Sequence, residues 1–353
     1  MLIIEYFDPE VRIMSICKEF IRKMLISTAV AGVFMTFPVS AAQTAAAPAV
    51  PAATVSSAQV IKNVPTQKPV QLPKVNPAPL MTQAPVMTTQ PQAAAAAAAP
   101  VTVDLIIFAG QSNMSGNGGN AALAPVVPIG HGYEYRPATA PNALFPLVEP
   151  FGRNERGYIS DVPEYQNGTL VSAFVSTYYS KTGVPVVAVP ATHGGTDSGY
   201  WANEATKADL VSRFIKAKTY LENNNFKIRH KYVVFLQGES DAVKGSGEKG
   251  FNDFEYKNNL TSAFQPLFAN GLEQVFIITP GYALNGIYSY NDVVAAQLDL
   301  CTSSDLFSIG STLLHKLPPN AYLADAVHYN QNGLNMVGSN AGANVAAFAG
   351  GVK

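Results

Sequence analysis

At 353 residues the chain can hold one or two domains with a full hydrophobic core. A net charge of −1, with only 13% charged residues, excludes the basic footprint of a nucleic-acid or anionic-membrane binder. Two cysteines, Cys17 and Cys301, exclude a disulfide framework, and the five histidines are scattered without metal-ligand spacing.

Lys18, Arg22 and Lys23 precede an apolar run from Met24 to Phe37, which closes on Pro38-Val-Ser-Ala-Ala42. A basic start, an apolar core and small residues at the end describe a secretory signal peptide, with cleavage expected after Ala41 or Ala42. The run is shorter than the roughly 20 residues of a spanning helix, so no stable membrane insertion is expected after cleavage. Residues 1–13 precede a second methionine, Met14, and read as an over-extended start before a leader that ends at residue 42. Residues 43–100 are dominated by Ala, Pro, Val, Thr and Gln, with no acid and no aromatic. Such a stretch cannot bury enough apolar surface to offset its ordering entropy, so it is expected to be a disordered Ala/Pro-rich linker. The folded domain is then residues 101–353. The protein is expected to be exported: periplasmic, secreted, or held at the cell envelope by its tether.

Within the domain, Val101 to Phe108 reads as a buried strand that breaks at Gly110 and presents Ser112. Residues 117–166 are rich in Gly, Pro, Asn and Tyr, and read as a long surface excursion carrying Tyr133, Tyr135 and Tyr158. Thr169 to Thr182 has helical spacing, and Val184 to Pro190 is a short strand leading into a loop that ends at Trp201. A helix is predicted over Glu204 to Asn224, a strand over Lys231 to Gln237, and a helix over Phe251 to Asn270. The strand Gln274 to Thr279, a helix Ser289 to Cys301, a short strand Leu306 to Ile309 and a helix Gln331 to Phe348 complete the chain. Strands alternating with helices imply an α/β fold, a parallel sheet with helices on both faces and right-handed crossovers. Ser112, Gly194-Gly195 and Gln237 each follow a strand directly. All three should therefore gather along one edge of the sheet, where open α/β sheets bind ligands.

A serine hydroxyl becomes a useful nucleophile when a base takes its proton and a third group orients the base. Asp325 and His328 are the best pair, because a spacing of three lets both side chains project to one side of a turn. The bland alternatives are that Ser112 serves a turn, Asp325 caps a helix and His328 is a surface residue. An ester carbonyl under attack also needs donors for its oxyanion. The candidates are the N–H of Ser112, the N–H of Gly195 or Gly194, and the side-chain amide of Gln237. The glycine pair could equally be a plain tight turn.

Four blocks occur in order: Gly110-Gln-Ser-Asn-Met114, Gly194-Gly-Thr196 with Trp201 after it, Gln237-Gly-Glu-Ser-Asp241, and Asp325-Ala-Val-His328. Together they resemble the sialate O-acetylesterase-like branch of the SGNH hydrolases, which includes carbohydrate esterase family six, over about residues 102–348. The resemblance implies a three-layer α/β/α sandwich of flavodoxin-like type and removal of acetyl groups from sugars with no metal or cofactor. It implies Ser112 as nucleophile, His328 as base and Asp325 as its orienter. Ser112, a glycine of the second block and Gln237 would form the oxyanion hole. The Gly-x-Ser-x-Met context departs from the Gly-x-Ser-x-Gly elbow of α/β-hydrolases, and Gln stands where the broader superfamily has Asn.

Trp201, Tyr200, Thr196 and Glu239 are the candidate substrate contacts. Trp201 could stack on a sugar or pack in the core, and Glu239 could be a second acid near His328 or a support of its loop. Tyr133, Tyr135, Tyr282, Tyr288 and Tyr290 are further candidates for a glycan-binding rim. His193 could line the site, whereas His131, His230 and His315 read as surface residues. The expected activity is that of an exported serine esterase acting on an acetylated polysaccharide. The alternatives are O-acetyl transfer by the same triad, and a catalytically idle carbohydrate-binding protein.

Overall fold

The computed structural model describes residues 99–245, 250–283 and 288–351, with residues 288 and 289 described by their backbone alone. The leader and linker read for residues 1–98 lie outside the described residues. Nine strands are described: β1 (Val101–Gly110), β2 (Gly132–Arg136), β3 (Ala140–Pro146), β4 (Val186–Thr192), β5 (Phe226–Leu236), β6 (Gln274–Ile278), β7 (Tyr282–Ala283), β8 (Tyr288–Ser289) and β9 (Phe307–Ser311). The longer helices are α2 (Val171–Thr182), α4 (Glu204–Asn223), α6 (Asp253–Ala269), α7 (Asn291–Ser303) and α9 (Gln331–Ala349). Between them lie the short turns of helix α1 (Ser112–Ser115), α3 (Ser198–Ala202), α5 (Glu239–Gly245) and α8 (Pro319–Tyr322).

The main sheet has the order β3-β2-β4-β1-β5-β6-β9, which puts β1 in the middle of seven strands. β1 pairs in parallel with both β4 and β5, so its backbone groups are satisfied on both sides. Its side chains alternate between two cores, as period-two geometry requires. Val103, Leu105, Ile107 and Ala109 join α4, α6 and α7 on one face. Ile106 and Phe108 join α2 and α9 on the other. A strand buried on both faces is apolar except where a polar group is paired, and β1 fits. Its apolar residues surround one buried carboxylate, Asp104, which accepts from the Tyr178 hydroxyl at 2.7 Å, the Arg229 guanidinium at 3.0 Å and the His230 N–H at 3.0 Å. Asn203, Asn252 and Asn330 start α4, α6 and α9, each accepting a backbone N–H with its side-chain oxygen. Helices α2 and α9 approach closely: a Cβ on Gly338 would sit 2.2 Å from the Leu170 carbonyl oxygen.

The excursion of residues 117–166 is the main departure from the sequence reading. It contains β2 and β3, an antiparallel pair that extends the sheet because β2 also pairs in parallel with β4. The sheet is therefore mixed at this edge. Tyr135 is buried, and its hydroxyl donates to the carbonyls of Pro141 and Lys216 at 2.9 and 3.2 Å, so it belongs to the core and not to a rim. Glu134, buried beside it, accepts the Gly152 N–H at 3.1 Å. Arg213 on α4 holds the rest of the excursion in place. Its guanidinium donates to the carbonyls of Pro190 and Arg156 at 2.8 and 3.2 Å, and Glu155 stands 3.6 Å away. Burial raises the Glu155 carboxyl above its usual range even with Arg213 beside it.

Candidate active site

At the carboxyl end of β1 the chain turns sharply at Gly110, whose φ is +143°. A Cβ there would lie 2.0 Å from the Leu236 carbonyl oxygen, so the close approach of β5 admits only glycine. The turn delivers Ser112 to α1, and Ser112 lines a cavity of about 600 Å³ at this end of the sheet. Gly194 and Gly195 reach the same cavity from the turn after β4, and Glu239 reaches it from the first turn of α5, just after β5. These strands are neighbours in the order β4-β1-β5, which is why blocks far apart in sequence meet.

Asp325 and His328 enter the cavity wall from the loop before α9. The Asp325 Oδ1 accepts the N–H groups of Val327 and His328, both at 2.8 Å, while Oδ2 stands 2.8 Å from His328 Nδ1. Burial would raise this carboxyl, but the hydrogen bond and charge of His328 and the two N–H donors outweigh it. The result is a pKa lowered to about 2. With Nδ1 facing Asp325, Nε2 is the free nitrogen of the ring. The Ser112 hydroxyl and the imidazole line the same cavity without a direct hydrogen bond between them, a looseness common before substrate tightens such contacts.

Asn113 links the two halves, a part that turn chemistry in the sequence did not reveal. Its Nδ2 donates to Glu239 Oε1 at 2.8 Å and to the Val327 carbonyl at 3.3 Å, and its Oδ1 accepts the Tyr329 N–H at 3.0 Å. The residue after Ser112 thus holds the residue before His328 and the residue after it. Glu239 is buried beside them, and its Oε2 has no hydrogen-bond partner among the described residues. Burial pushes this carboxyl up, opposed by the Asn113 hydrogen bond and the His328 charge.

The oxyanion donors need correction. Gln237 is fully buried, and its Nε2 donates to the Thr196 carbonyl at 3.0 Å and to Asp241 Oδ2 at 2.5 Å. With both amide hydrogens engaged, Gln237 braces the second block from behind and gives no donor to the cavity. The Gly194 N–H donates to Asp161 Oδ1 at 2.8 Å, so it is not free either. What remains are the N–H groups of Ser112 and Gly195, for which the described residues supply no acceptor. Gly195 has φ of +70°, a turn conformation that favours glycine.

Trp201 is fully buried, stacked edge-on against Phe235 with ring centroids 5.2 Å apart. Its Nε1 donates to Thr196 Oγ1 at 3.1 Å, so Trp201 and Thr196 shape the turn and neither offers a sugar-stacking face. Tyr200 does line the cavity, parallel to Tyr158 at 5.8 Å and near His193 at 5.2 Å. Tyr158, from the excursion, is about half exposed and is the aromatic the sequence understated. Tyr290 lines the cavity but is nearly covered, Tyr282 stacks on His315, and Tyr133 packs on the core. The Tyr288 side chain lies outside the described residues. His131 stacks on Tyr179, and His230 Nδ1 meets Glu273 at 2.8 Å. Among the described residues no group of three or more His, Cys, Asp or Glu could hold a metal ion.

The model of a carbohydrate esterase family, described as sialic acid-specific acetylesterase, matches residues 102–345. The chain belongs to that family. It is therefore a carboxylic ester hydrolase of the SGNH type, as its four blocks led us to expect. A search of curated proteins found no match. Among solved structures, a protein from Arabidopsis thaliana is 20% identical with a TM-score of 0.50, covering 70% of this chain and 98% of that one. NanS is 14% identical with a TM-score of 0.47, covering 71% and 98%. A carbohydrate acetylesterase from Xanthomonas citri is 15% identical with a TM-score of 0.40, covering 69% and 55%. At such identity, the likeness to the Arabidopsis protein speaks for the shared fold of this esterase.

Proposed function

We propose that the esterase removes O-acetyl groups from a carbohydrate through an acyl-enzyme on Ser112. The observation that carries this reading is the imidazole of His328, fixed at Nδ1 by Asp325 and sharing one cavity with Ser112. His328 Nε2 takes the hydroxyl proton as Ser112 Oγ attacks the acetyl carbonyl, and the N–H groups of Ser112 and Gly195 receive the oxyanion. Collapse breaks the bond to the sugar oxygen, which leaves with the proton from Nε2. A water then gives a proton to Nε2 as it attacks the acyl carbon, and Nε2 passes that proton to Ser112 Oγ as the acyl bond breaks, which releases acetate and restores the serine. Asp325 stays ionised throughout and stabilises the imidazolium.

The cavity wall carries Asp161, Glu239 and Asp325, and no Lys or Arg among the described residues. That charge favours a neutral acetylated glycan over a sugar acid, whose carboxylate would meet like charge. The composition of residues 18–100, read as an export leader followed by an Ala/Pro-rich spacer, supports a polymeric substrate outside the cell or at its envelope. The test is acetate release from acetylated xylan, cellulose acetate, acetylated peptidoglycan and O-acetylated sialic acid, beside Ser112→Ala. Hydrolysis that survives Ser112→Ala would end the mechanism, and a preference for sialic acid would end the choice of neutral glycan.

A further inference from the structure

Residue Asp161 comes from the excursion, outside all four blocks, yet it is 9% exposed at the floor of the cavity. Its Oδ2 accepts the Ser115 hydroxyl and its Oδ1 accepts the Gly194 N–H at 2.8 Å. A Cβ on Gly194 would stand 3.3 Å from Oδ1 and 3.6 Å from Ser112 Cβ, so the carboxylate and the nucleophile's residue close in on the same side of the glycine turn. We propose that Asp161 is a positioning residue for the oxyanion hole, fixing the N–H groups of Ser112 and Gly195 relative to each other. The inference rests on the Ser112 reading above.

Ser115 closes the single turn of α1, bonded through its N–H to the Gln111 carbonyl at 3.0 Å, so displacing Ser115 displaces Ser112. On the other side, the chain is anchored to the sheet through the His193 N–H, which donates to the Gly110 carbonyl at 2.9 Å. Beyond that point lie two glycines, the residues with the most backbone freedom, and the described residues give Gly195 no other hydrogen bond. The Gly194 N–H on Asp161 is therefore the restraint nearest the Gly195 N–H. Donors act in the transition state only if they are already in place, and a misplacement of about 1 Å can lower the rate about a hundredfold.

The experiment compares full-length variants on one acetyl ester, with circular dichroism to confirm folding. Asp161→Ala should lower kcat about a hundredfold while KM stays within about threefold. Asp161→Asn should recover most of kcat, since its oxygen still accepts from Gly194 and the Ser115 hydroxyl can rotate to accept from its amide. Ser115→Ala should cost less and add little on top of Asp161→Ala, because both remove one linkage. A kcat within about threefold of the parent in folded Asp161→Ala overturns the proposal, as does a loss confined to KM, which would make Asp161 a substrate contact. If Asp161→Ala does not fold, an unchanged kcat in Ser115→Ala overturns it instead. Hydrolysis surviving in Ser112→Ala removes the Ser112 reading and this inference together. Loss in Ser112→Ala with no effect at Asp161 or Ser115 removes this inference alone.

Discussion

Two carboxylates flank His328 in one cavity, and their surroundings drive them in opposite directions. Asp325, on the loop before α9, is half exposed and accepts from two backbone N–H groups and an imidazole nitrogen. Its pKa falls to about 2. Glu239, at the start of α5, is buried, accepts from Asn113, and leaves Oε2 without a partner among the described residues, so burial raises its pKa. The difference lies first in burial, complete for Glu239 and partial for Asp325, and then in the number of donors, since both carboxylates feel the same imidazole. A dedicated set of donors keeps one acid charged and available to orient a base. The other, supplied mainly by a single amide, serves to hold Asn113 and through it the His328 loop.

The largest test of this contrast is catalytic. Asp325→Asn should lower kcat by a factor on the order of 10³–10⁴, because the imidazole loses its orienting charge and its tautomer. Glu239→Gln should stay within about tenfold of the parent, since its oxygen can still accept from Asn113. Equal losses in steady-state kinetics would erase the distinction. Next in size is Gln237→Ala, which strands the Thr196 carbonyl and takes one donor from the Asp241 carboxylate, leaving it the Ser198 N–H and hydroxyl. It should destabilise the fold by about 1–3 kcal/mol in urea unfolding.

The pH dependence of stability should then differ in sign between the two acids. Asp325 has a folded pKa of about 2, below the ordinary 3.8, so its contribution is present above about 3.8 and lost as pH falls toward 2. Asp325→Asn should therefore be less stable than the parent at neutral pH, with the gap closing in acid. Glu239 is raised above 4.5, so its contribution is present below that value and lost as pH rises through the folded pKa. Glu239→Gln should gain on the parent as pH increases. Thermal unfolding of both variants between about pH 2 and pH 8 checks the signs, and parallel curves would refute them. The smallest effect should come from Tyr158→Ala, which removes the ring stacked on the cavity-lining Tyr200: a severalfold rise in KM for a polymeric substrate, with neither pH trend altered.

Much of this was legible in the chain. The apolar run of β1, the helical spacing of α2, α4, α6 and α9, and the glycines after each strand follow from local chemistry. They place Ser112, Gly194-Gly195 and Gln237 at the carboxyl ends of adjacent strands. The link between Asp325 and His328 was also visible, because three residues of spacing suffice to close it. The β2 and β3 pair was not, since its Pro- and Gly-rich neighbourhood shows no alternation and its strands are specified by pairing with β4.

What the amino-acid order determined alone was the set of elements and the chemistry available at their ends, because propensity, periodicity and short spacings act over a few residues. Which groups remain free for that chemistry was decided only by tertiary contacts. Gln237 turned its amide away to Thr196 and Asp241, Trp201 went into the core, and Asp161 took the Gly194 N–H. A donor already engaged by one acceptor has little left for another, and the competition for it runs between residues far apart in the chain.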